Sequence, residues 1–268
     1  MNVWWMSPKW NDRLAAEGLD RAEAWWKDDR IKVWRDIAER QNAVLDFDDV
    51  RLHVKRLRRA AAGQMRQEVN GIGMLESFGI ESTPLVAWGT CSDGRALVVT
   101  EDLAGFTPAD QWLKAGGDFD RLARPTADLV ATLHRTMRHR DLYLCHIFVS
   151  ETVPGPGDGE DVSLRLIDAA RVSRLPLLFW RRWVVKDLAQ FRYSAEQVGV
   201  SEDALDHWLT LWAEHLGTFA DGYQGAVKAK VKKIARHDEK LKKKSPERDV
   251  SLPPREPTRE GAGKSSSD

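Results

Sequence analysis

The residues best suited to chemistry lie at positions 139–146, which read His-Arg-Asp-Leu-Tyr-Leu-Cys-His. An Asp after His-Arg, with a metal-binding side chain five positions later, is typical of the loop that orients an acceptor hydroxyl during phosphoryl transfer. Asp141 is therefore the candidate base, and His146 takes the metal-holding position that is Asn in protein kinases. Because such triplets occur in many chains, the prediction depends on which other residues accompany the loop.

Three charged residues accompany it in the order that phosphoryl transfer requires, since this chemistry asks a protein for positioning and charge neutralisation. Lys55, on a predicted strand, would contact the α- and β-phosphates of ATP. Glu68, on the following helix, would orient the ammonium group of that lysine. Asp168, after a short apolar strand, would hold Mg²⁺, and the backbone around Glu101 and Leu103 would bind the adenine edge.

The elements that must position these residues follow from the periodicity of apolar side chains. Apolar and polar residues alternate in several segments between 31 and 100, as in an antiparallel sheet, and residues 64–78 carry a helical apolar stripe. Further along the chain the spacing is mainly helical. We therefore predict an α+β fold of two lobes, a small antiparallel-sheet N-lobe with one helix and a mainly helical C-lobe. The predicted boundaries are a helical extension at 1–30, the N-lobe at 31–102, the C-lobe at 103–222, a basic helical extension at 223–244 and a disordered tail at 245–268.

These motifs resemble those of the lipopolysaccharide kinase (Kdo/WaaP) family, a bacterial branch of the protein-kinase-like superfamily. The resemblance runs collinearly from Lys55 to residue 194, and a loop ending in Tyr-x-Cys-His distinguishes the family from protein kinases. It rests on residues 67–70, 100–103, 139–146, 166–168 with Arg171, 181–183 and 186–188. It implies a two-lobed protein-kinase-like fold and ATP- and Mg²⁺-dependent phosphorylation of a sugar hydroxyl, of heptose or Kdo, in the inner core of lipopolysaccharide or a related glycolipid.

The chain departs from the general kinase pattern in two places. The first hairpin, with a predicted tip at residues 39–42, has no glycine-rich loop to cover the phosphates. Asp168 is followed by two alanines instead of Phe-Gly, and we expect Arg171 to fill that space and reach the phosphates or the acceptor. Asp187 is predicted to cap the backbone of residues 139–141 from the next helix, as a structural residue.

Composition limits the setting in which the chain works. Its 268 residues carry 41 Lys/Arg and 41 Asp/Glu, with two cysteines and no secretory leader, which predicts a cytoplasmic protein with reduced thiols. The longest apolar run, at 175–180, is too short to cross a bilayer. Residues 228–244 hold nine Lys/Arg and two acids, and residues 180–183 read Trp-Arg-Arg-Trp. Both segments suit peripheral contact with an anionic membrane at the inner face of the cell membrane, whereas nucleic acid is not the expected partner.

Two other functions stay open at this point. His134, His139, Cys145 and His146 are all ligand types that Zn²⁺ accepts. However, the spacing of the first two puts them about 140° apart around a helix, and neighbours on a strand point to opposite faces. The second alternative is a catalytically weak or inactive kinase-like binding protein that docks on anionic membrane or nucleic acid through its basic C-terminal segment.

Overall fold

The computed structural model describes residues 3–46, 50–151 and 162–244. The chain forms β1 (Trp4–Met6), α1 (Asn11–Ala16), α2 (Ala22–Lys27), β2 (Lys32–Asp36), β3 (Arg40–Asp46), β4 (Arg51–Leu57), α3 (Gly63–Ser77), β5 (Leu85–Thr90), β6 (Ala96–Glu101), β7 (Thr107–Pro108), α4 (Ala109–Lys114), α5 (Phe119–His134), β8 (Met137–Arg138), β9 (Ile147–Glu151), β10 (Val162–Leu166), β11 (Ser173–Arg174), α6 (Trp180–Glu196), α7 (Glu202–Leu216) and α8 (Asp221–Lys244). Short 3₁₀ helices lie at Arg59–Ala61, Leu144–His146 and Ala169–Arg171. The predicted tail at 245–268 lies outside the described residues.

The N-lobe is built on a six-stranded antiparallel sheet with strand order β1-β5-β6-β4-β3-β2. Side chains alternate between the two faces of each strand. In β4 this alternation puts core side chains on one face and a candidate site residue on the other. Leu52 and Val54 are buried in one core together with Trp25 of α2. Lys55 points to the opposite face, where α3 provides its partner Glu68. The sheet therefore positions the candidate phosphate-binding lysine next to α3.

The N-terminal part contains the helices α1 and α2 and also a strand that the sequence does not predict, since β1 pairs antiparallel with β5. Glycine at position 89 allows this approach, since a Cβ there would lie 2.5 Å from the carbonyl oxygen of Val3. The pairing joins distant parts of the chain, so local periodicity does not reveal it.

The predicted hairpin tip at 39–42 is wrong. Ile37 and Arg40 exchange backbone hydrogen bonds of 3.0 and 3.2 Å, so the tip is at residues 38–39 and β3 begins at Arg40.

The C-lobe packs its helices around one large core, in which the rings of Phe191 and Trp208 stack at 4.0 Å. The predicted basic extension is part of this lobe, because Tyr223, Val227 and Val231 of α8 are buried in the same core. Its cationic residues therefore occupy one side of a packed helix. None of the helices that the structure describes is long and apolar enough to cross a membrane.

Candidate active site

Lys55 and Glu68 form an ion pair between the sheet and α3. The Nζ of Lys55 lies 2.6 and 2.7 Å from the two carboxylate oxygens of Glu68. On α3 the carboxylate is flanked by the buried Met65 and Ile72, and the Glu68 side chain is only 10% exposed. Solvent therefore screens the pair weakly, and the ammonium group is held in one position beneath the sheet.

The loop that carries Asp141 is fixed through its backbone. The fully buried carboxylate of Asp187, on α6, accepts the amide protons of His139 and Arg140 at 2.7 and 2.8 Å. This geometry confirms the predicted capping role of Asp187. Lys186, the preceding residue, donates to the carbonyl oxygen of Arg140, and burial lowers the pKa of that lysine. Arg140 has a φ of 75°, a left-handed backbone conformation that the capped loop enforces.

The carboxylate of Asp141 faces Arg171. One guanidinium nitrogen, Nη1, lies 2.8 and 3.0 Å from the two carboxylate oxygens. The hydrogen bond to Asp141 raises the pKa of Arg171, which keeps the guanidinium charged. Arg171 thus lies next to the candidate base. The sequence predicts that this side chain fills the space left by the missing Phe-Gly after Asp168 and reaches the phosphates or the acceptor. It can contact a negatively charged group that approaches Asp141.

Asp168 stands at the turn after β10, with a left-handed backbone at φ 58°. A close approach between this turn and α3 fixes its position, because a Cβ at Gly71 would lie 2.0 Å from the carbonyl oxygen of Ala169. Burial would raise the pKa of Asp168, but the positive charge of Lys55, with those of His146 and Arg40, outweighs burial and lowers that pKa. The side chain is therefore a carboxylate at neutral pH.

His139 links the Asp141 loop to this turn. It is fully buried, and burial lowers its pKa, so the ring is neutral at neutral pH. In that state Nε2–H donates to the carbonyl oxygen of Ile167 at 3.0 Å, one residue before Asp168. The first residue of the His-Arg-Asp triplet therefore positions two loops and does not face a substrate.

His146 and Asp168 were the predicted metal residues, and the structure brings them together. The Nε2 of His146 lies 3.8 Å from an oxygen of Asp168, while its Nδ1 lies 2.7 Å from the carbonyl oxygen of Asp141. A metal-binding histidine usually donates its other ring proton to such a carbonyl. Burial alone would lower the pKa of His146, but Cys145 and Asp168 outweigh it and raise the pKa to about 9. A metal ion at Nε2 thus competes with a proton, and Mg²⁺ prefers oxygen, so the Asp168 carboxylate fits this ion better.

In the connection between the lobes, the side chain of Glu101 is held by other side chains of the protein. An oxygen of Glu101 accepts hydrogen bonds from Lys9 at 2.7 Å and from the indole of Trp10 at 2.8 Å. Leu103 is buried. A contact from Glu101 to a nucleotide would therefore come from its backbone, as the sequence predicts for this connection.

Sequence reasoning missed Arg40 at the first hairpin. Within the described residues its Nε is buried without a hydrogen-bond partner, and its charge contributes to the lowered pKa of Asp168. A buried, unsatisfied guanidinium nitrogen is costly unless a ligand completes it. The sequence feature that could have identified Arg40 is a cationic residue in the hairpin that lacks a glycine-rich loop.

The four candidate zinc ligands do not form a site. The Nδ1 of His134 accepts from the indole of Trp212 at 3.1 Å inside the C-lobe core, and the rings of His139 and His146 are 6.1 Å apart. Cys91 and Cys145 are both free thiols. In the ranges that the structure describes, no three His, Cys, Asp or Glu side chains are arranged to hold a metal ion. The geometry gives no support to zinc chemistry.

Known proteins resemble this chain in sequence and in fold. The model of the lipopolysaccharide kinase (Kdo/WaaP) family matches residues 37–212. A solved structure described as WaaP in complex with acyl carrier protein is 25% identical, with a TM-score of 0.66 over 87% of this chain and 99% of that chain. The aminoglycoside phosphotransferase APH(3'')-Id from Streptomyces rimosus ATCC10970 is similar in fold, at 16% identity and a TM-score of 0.52 over 81% and 98% of the two chains. No curated protein matches. The predicted two-lobed α+β, protein-kinase-like fold is confirmed.

Proposed function

Because this chain belongs to the lipopolysaccharide kinase (Kdo/WaaP) family, we propose that it transfers the γ-phosphoryl group of ATP to a sugar hydroxyl. The proposed acceptor is a heptose or Kdo of the lipopolysaccharide inner core, or a related glycolipid, and the products are a phosphate monoester and ADP. The observation that supports this most is the Lys55–Glu68 ion pair, held beneath the sheet within electrostatic reach of Asp168. Phosphoryl transfer needs these charges in fixed positions.

Each charged residue has a separate role in the proposed reaction. Lys55 binds the α- and β-phosphates and Glu68 orients it, while the backbone at Glu101 and Leu103 binds adenine. Asp141 accepts or orients the proton of the attacking hydroxyl. Asp168 and, more weakly, His146 would hold Mg²⁺, which neutralises phosphate charge when bound.

Arg40 takes over part of the work of the absent glycine-rich loop. A glycine-rich loop binds phosphates through backbone amides, whereas this hairpin offers a guanidinium whose buried Nε has no partner among the described residues. Arg40 stands at the start of β3 and its charge acts on Asp168, which suits a contact with the β- or γ-phosphate. With this guanidinium in place, the hairpin can bind the phosphates without a flexible glycine-rich turn.

The surroundings of Asp141 favour an acceptor with negative charge. Arg171 lies against the carboxylate, and the charge of Lys186 is close enough to interact with those of Asp141 and Arg140. Such cations attract carboxylates and phosphates. Kdo carries a carboxylate that suits this cluster, whereas an unmodified heptose carries no charge.

We place the reaction in the cytoplasm, where ATP is available, with peripheral contact at the inner face of the cell membrane, where a glycolipid acceptor is present. An acyl carrier protein is a further candidate partner, because the similar WaaP structure contains one. The alternative of a weakly active or inactive binding protein shares this location and differs in chemistry.

The direct test is Mg²⁺-dependent ATP binding and ADP release by the purified chain, with and without lipopolysaccharide core sugars. Asp168→Asn serves as the control, since it removes the carboxylate while keeping side-chain size. We expect ADP release that the core sugars stimulate and that the control lacks. If neither protein binds nucleotide, the chain is an inactive kinase-like binding protein and the proposed kinase function is wrong.

A further inference from the structure

The connection that leads into α6 exposes an unusual run of large apolar side chains. Leu177, Leu178, Phe179 and Trp180 are 97%, 74%, 79% and 45% exposed. We refer to these four residues as the apolar tip. Single exposed apolar residues are common on soluble proteins, but four in succession are not explained by chance. Side chains with this degree of exposure contribute little to the core and leave their apolar surface in water.

A second segment adds to the same surface. Phe219, in the connection between α7 and α8, is 85% exposed. Arg181, directly after the apolar tip, donates to the carbonyl oxygen of Gly222 and lies 5.2 Å from the ring of Tyr223. These contacts bring the start of α8 beside the apolar tip. Phe219 is three residues before Gly222, which contacts Arg181. Two separate parts of the chain thus expose aromatic and aliphatic groups close together.

The charged residues that flank the apolar tip along the chain have one sign. Between Asp168 and Asp187 the chain has five Lys/Arg and no Asp or Glu. Arg174, Arg181 and Arg182 among them are exposed. Exposed apolar side chains flanked in sequence by arginines are the composition that proteins use at a bilayer interface. The arginines match anionic headgroups, and the apolar groups match the acyl boundary beneath them.

We propose that the apolar tip and Phe219 insert into an anionic lipid bilayer and dock the C-lobe on it. A bilayer accepts separate protruding side chains without a complementary groove, whereas a protein partner would need a matching surface. The inference deepens the proposed function and rests on it for the identity of the acceptor, but lipid binding itself requires no catalysis. On the basic helix α8, Lys228 already forms ion pairs with Glu202 and Asp206 at 2.6 and 3.0 Å, so this cation is not available to lipid headgroups.

The position of the apolar tip explains how docking would serve the reaction. α6 begins at Trp180, and its residues Lys186 and Asp187 hold the loop of Asp141. Seven residues of helix correspond to about 10 Å. A C-lobe docked by this tip therefore holds the candidate base a short distance above the headgroups. The sugars next to the lipid anchor of a glycolipid lie in that zone.

The test is flotation of the full chain with vesicles of phosphatidylcholine alone and of phosphatidylcholine mixed with phosphatidylglycerol. The tip variant carries Leu177→Ser, Leu178→Ser and Phe179→Ser, and a second variant carries Phe219→Ser. The matched control carries Val33→Ser and Phe78→Ser, two exposed apolar residues of the N-lobe at 42% and 40% exposure. We expect the tip variant to bind mixed vesicles about tenfold or more weakly, because each buried apolar side chain contributes to insertion. Phe219→Ser should have a smaller effect in the same direction, and the control should bind as the unmodified chain does.

Equal binding by the tip variant and the unmodified chain, or no binding by either, would overturn the proposal. Self-association that the tip variant alone loses, without vesicle binding, would overturn it too and assign the surface to a second copy of the chain. Activity separates this inference from the proposed function. The tip variant should phosphorylate a soluble, lipid-free core oligosaccharide at the unmodified rate and vesicle-embedded lipopolysaccharide more slowly. If the unmodified chain binds vesicles through the tip but transfers no phosphate, the docking inference stands and the proposed function fails.

Discussion

At the scale of single residues, surroundings decide which of many lysines can serve the reaction. Lys55 is held by both oxygens of the buried Glu68. Lys32, on β2 of the same sheet, is 75% exposed and lies 3.9 Å from Asp46. The two side chains have the same charge and differ in whether that charge is fixed, so they form a matched pair for mutation.

We expect Lys55→Ala to reduce ATP-dependent turnover by about a hundredfold, because a pre-positioned charge on the phosphates is lost. Lys32→Ala should leave turnover unchanged. Steady-state kinetics measures both effects, and thermal unfolding of each variant separates loss of activity from loss of fold, since Lys55→Ala leaves Glu68 unpaired. Unchanged turnover in a folded Lys55→Ala protein would mean that another residue binds the phosphates.

Arg40→Gln should raise the KM for ATP about tenfold and leave the KM for the acceptor unchanged, because a charged hydrogen bond to phosphate contributes about 1.5–3 kcal/mol. Lys32→Gln is the control, as it removes a cation from the same sheet. An Arg40→Gln protein with the unmodified KM for ATP would show that the hairpin does not contact the nucleotide through this side chain.

At the scale of elements, the close approach of α3 to the Asp168 turn aligns the two lobes. Gly71 and Gly73 lie two residues apart on α3 and face different sides of the helix. A Cβ at Gly71 would lie 2.0 Å from the Ala169 carbonyl oxygen, while a Cβ at Gly73 would meet nothing within 4 Å. A side chain at position 71 must therefore push the helix and the turn apart. This displacement would move Glu68 and Asp168 relative to each other.

Gly71→Ala should lower both the melting temperature and the turnover. Gly73→Ala should keep turnover and raise the free energy of unfolding by about 0.5–1 kcal/mol, because alanine stabilises an exposed helical site. Denaturant unfolding and kinetics on the two proteins test this. A Gly71→Ala variant as active as Gly73→Ala would remove the argument that this contact positions Asp168.

The elements also show what sequence can predict. Helix α3 was predicted at 64–78 and occurs at Gly63–Ser77, because its apolar stripe is a local pattern. The capping role of Asp187 was predicted from its place in a motif and is confirmed. Strand β1 was missed, since a short strand depends on pairing with a distant β5. Arg40 was missed because residue type does not tell where a guanidinium points, and the exposure of Leu177 became visible only once the core was known.

At the scale of the whole molecule, the buried His139 and the partly buried His146 predict how stability depends on pH. Burial lowers the pKa of His139, so folding opposes its protonation; that contribution is complete above about pH 6.5 and is lost as pH falls below this value. The pKa of His146 is raised to about 9, so its contribution is complete below about pH 6.5 and is lost as pH rises towards 9. The two effects place maximum stability near neutral pH.

Urea unfolding between acid and alkaline pH, in metal-free buffer, should therefore give a free energy of unfolding that declines on both sides. His139→Gln should flatten the acid side and His146→Gln the alkaline side. The exposed His207→Gln is the control and should change neither. If His146→Gln leaves the alkaline decline intact, that histidine is not protonated in the folded state as described.

The central claim is that the chain moves a phosphoryl group from ATP to a core sugar, and mass spectrometry of the acceptor tests it most directly. Purified chain, ATP and Mg²⁺ are incubated with lipid-free core oligosaccharide, beside the Asp141→Asn and Asp168→Asn proteins. We predict an oligosaccharide heavier by one phosphate with the unmodified chain and no such product with either variant. An oligosaccharide of unchanged mass in every sample, or equal phosphorylation by the variants, would contradict the proposed reaction.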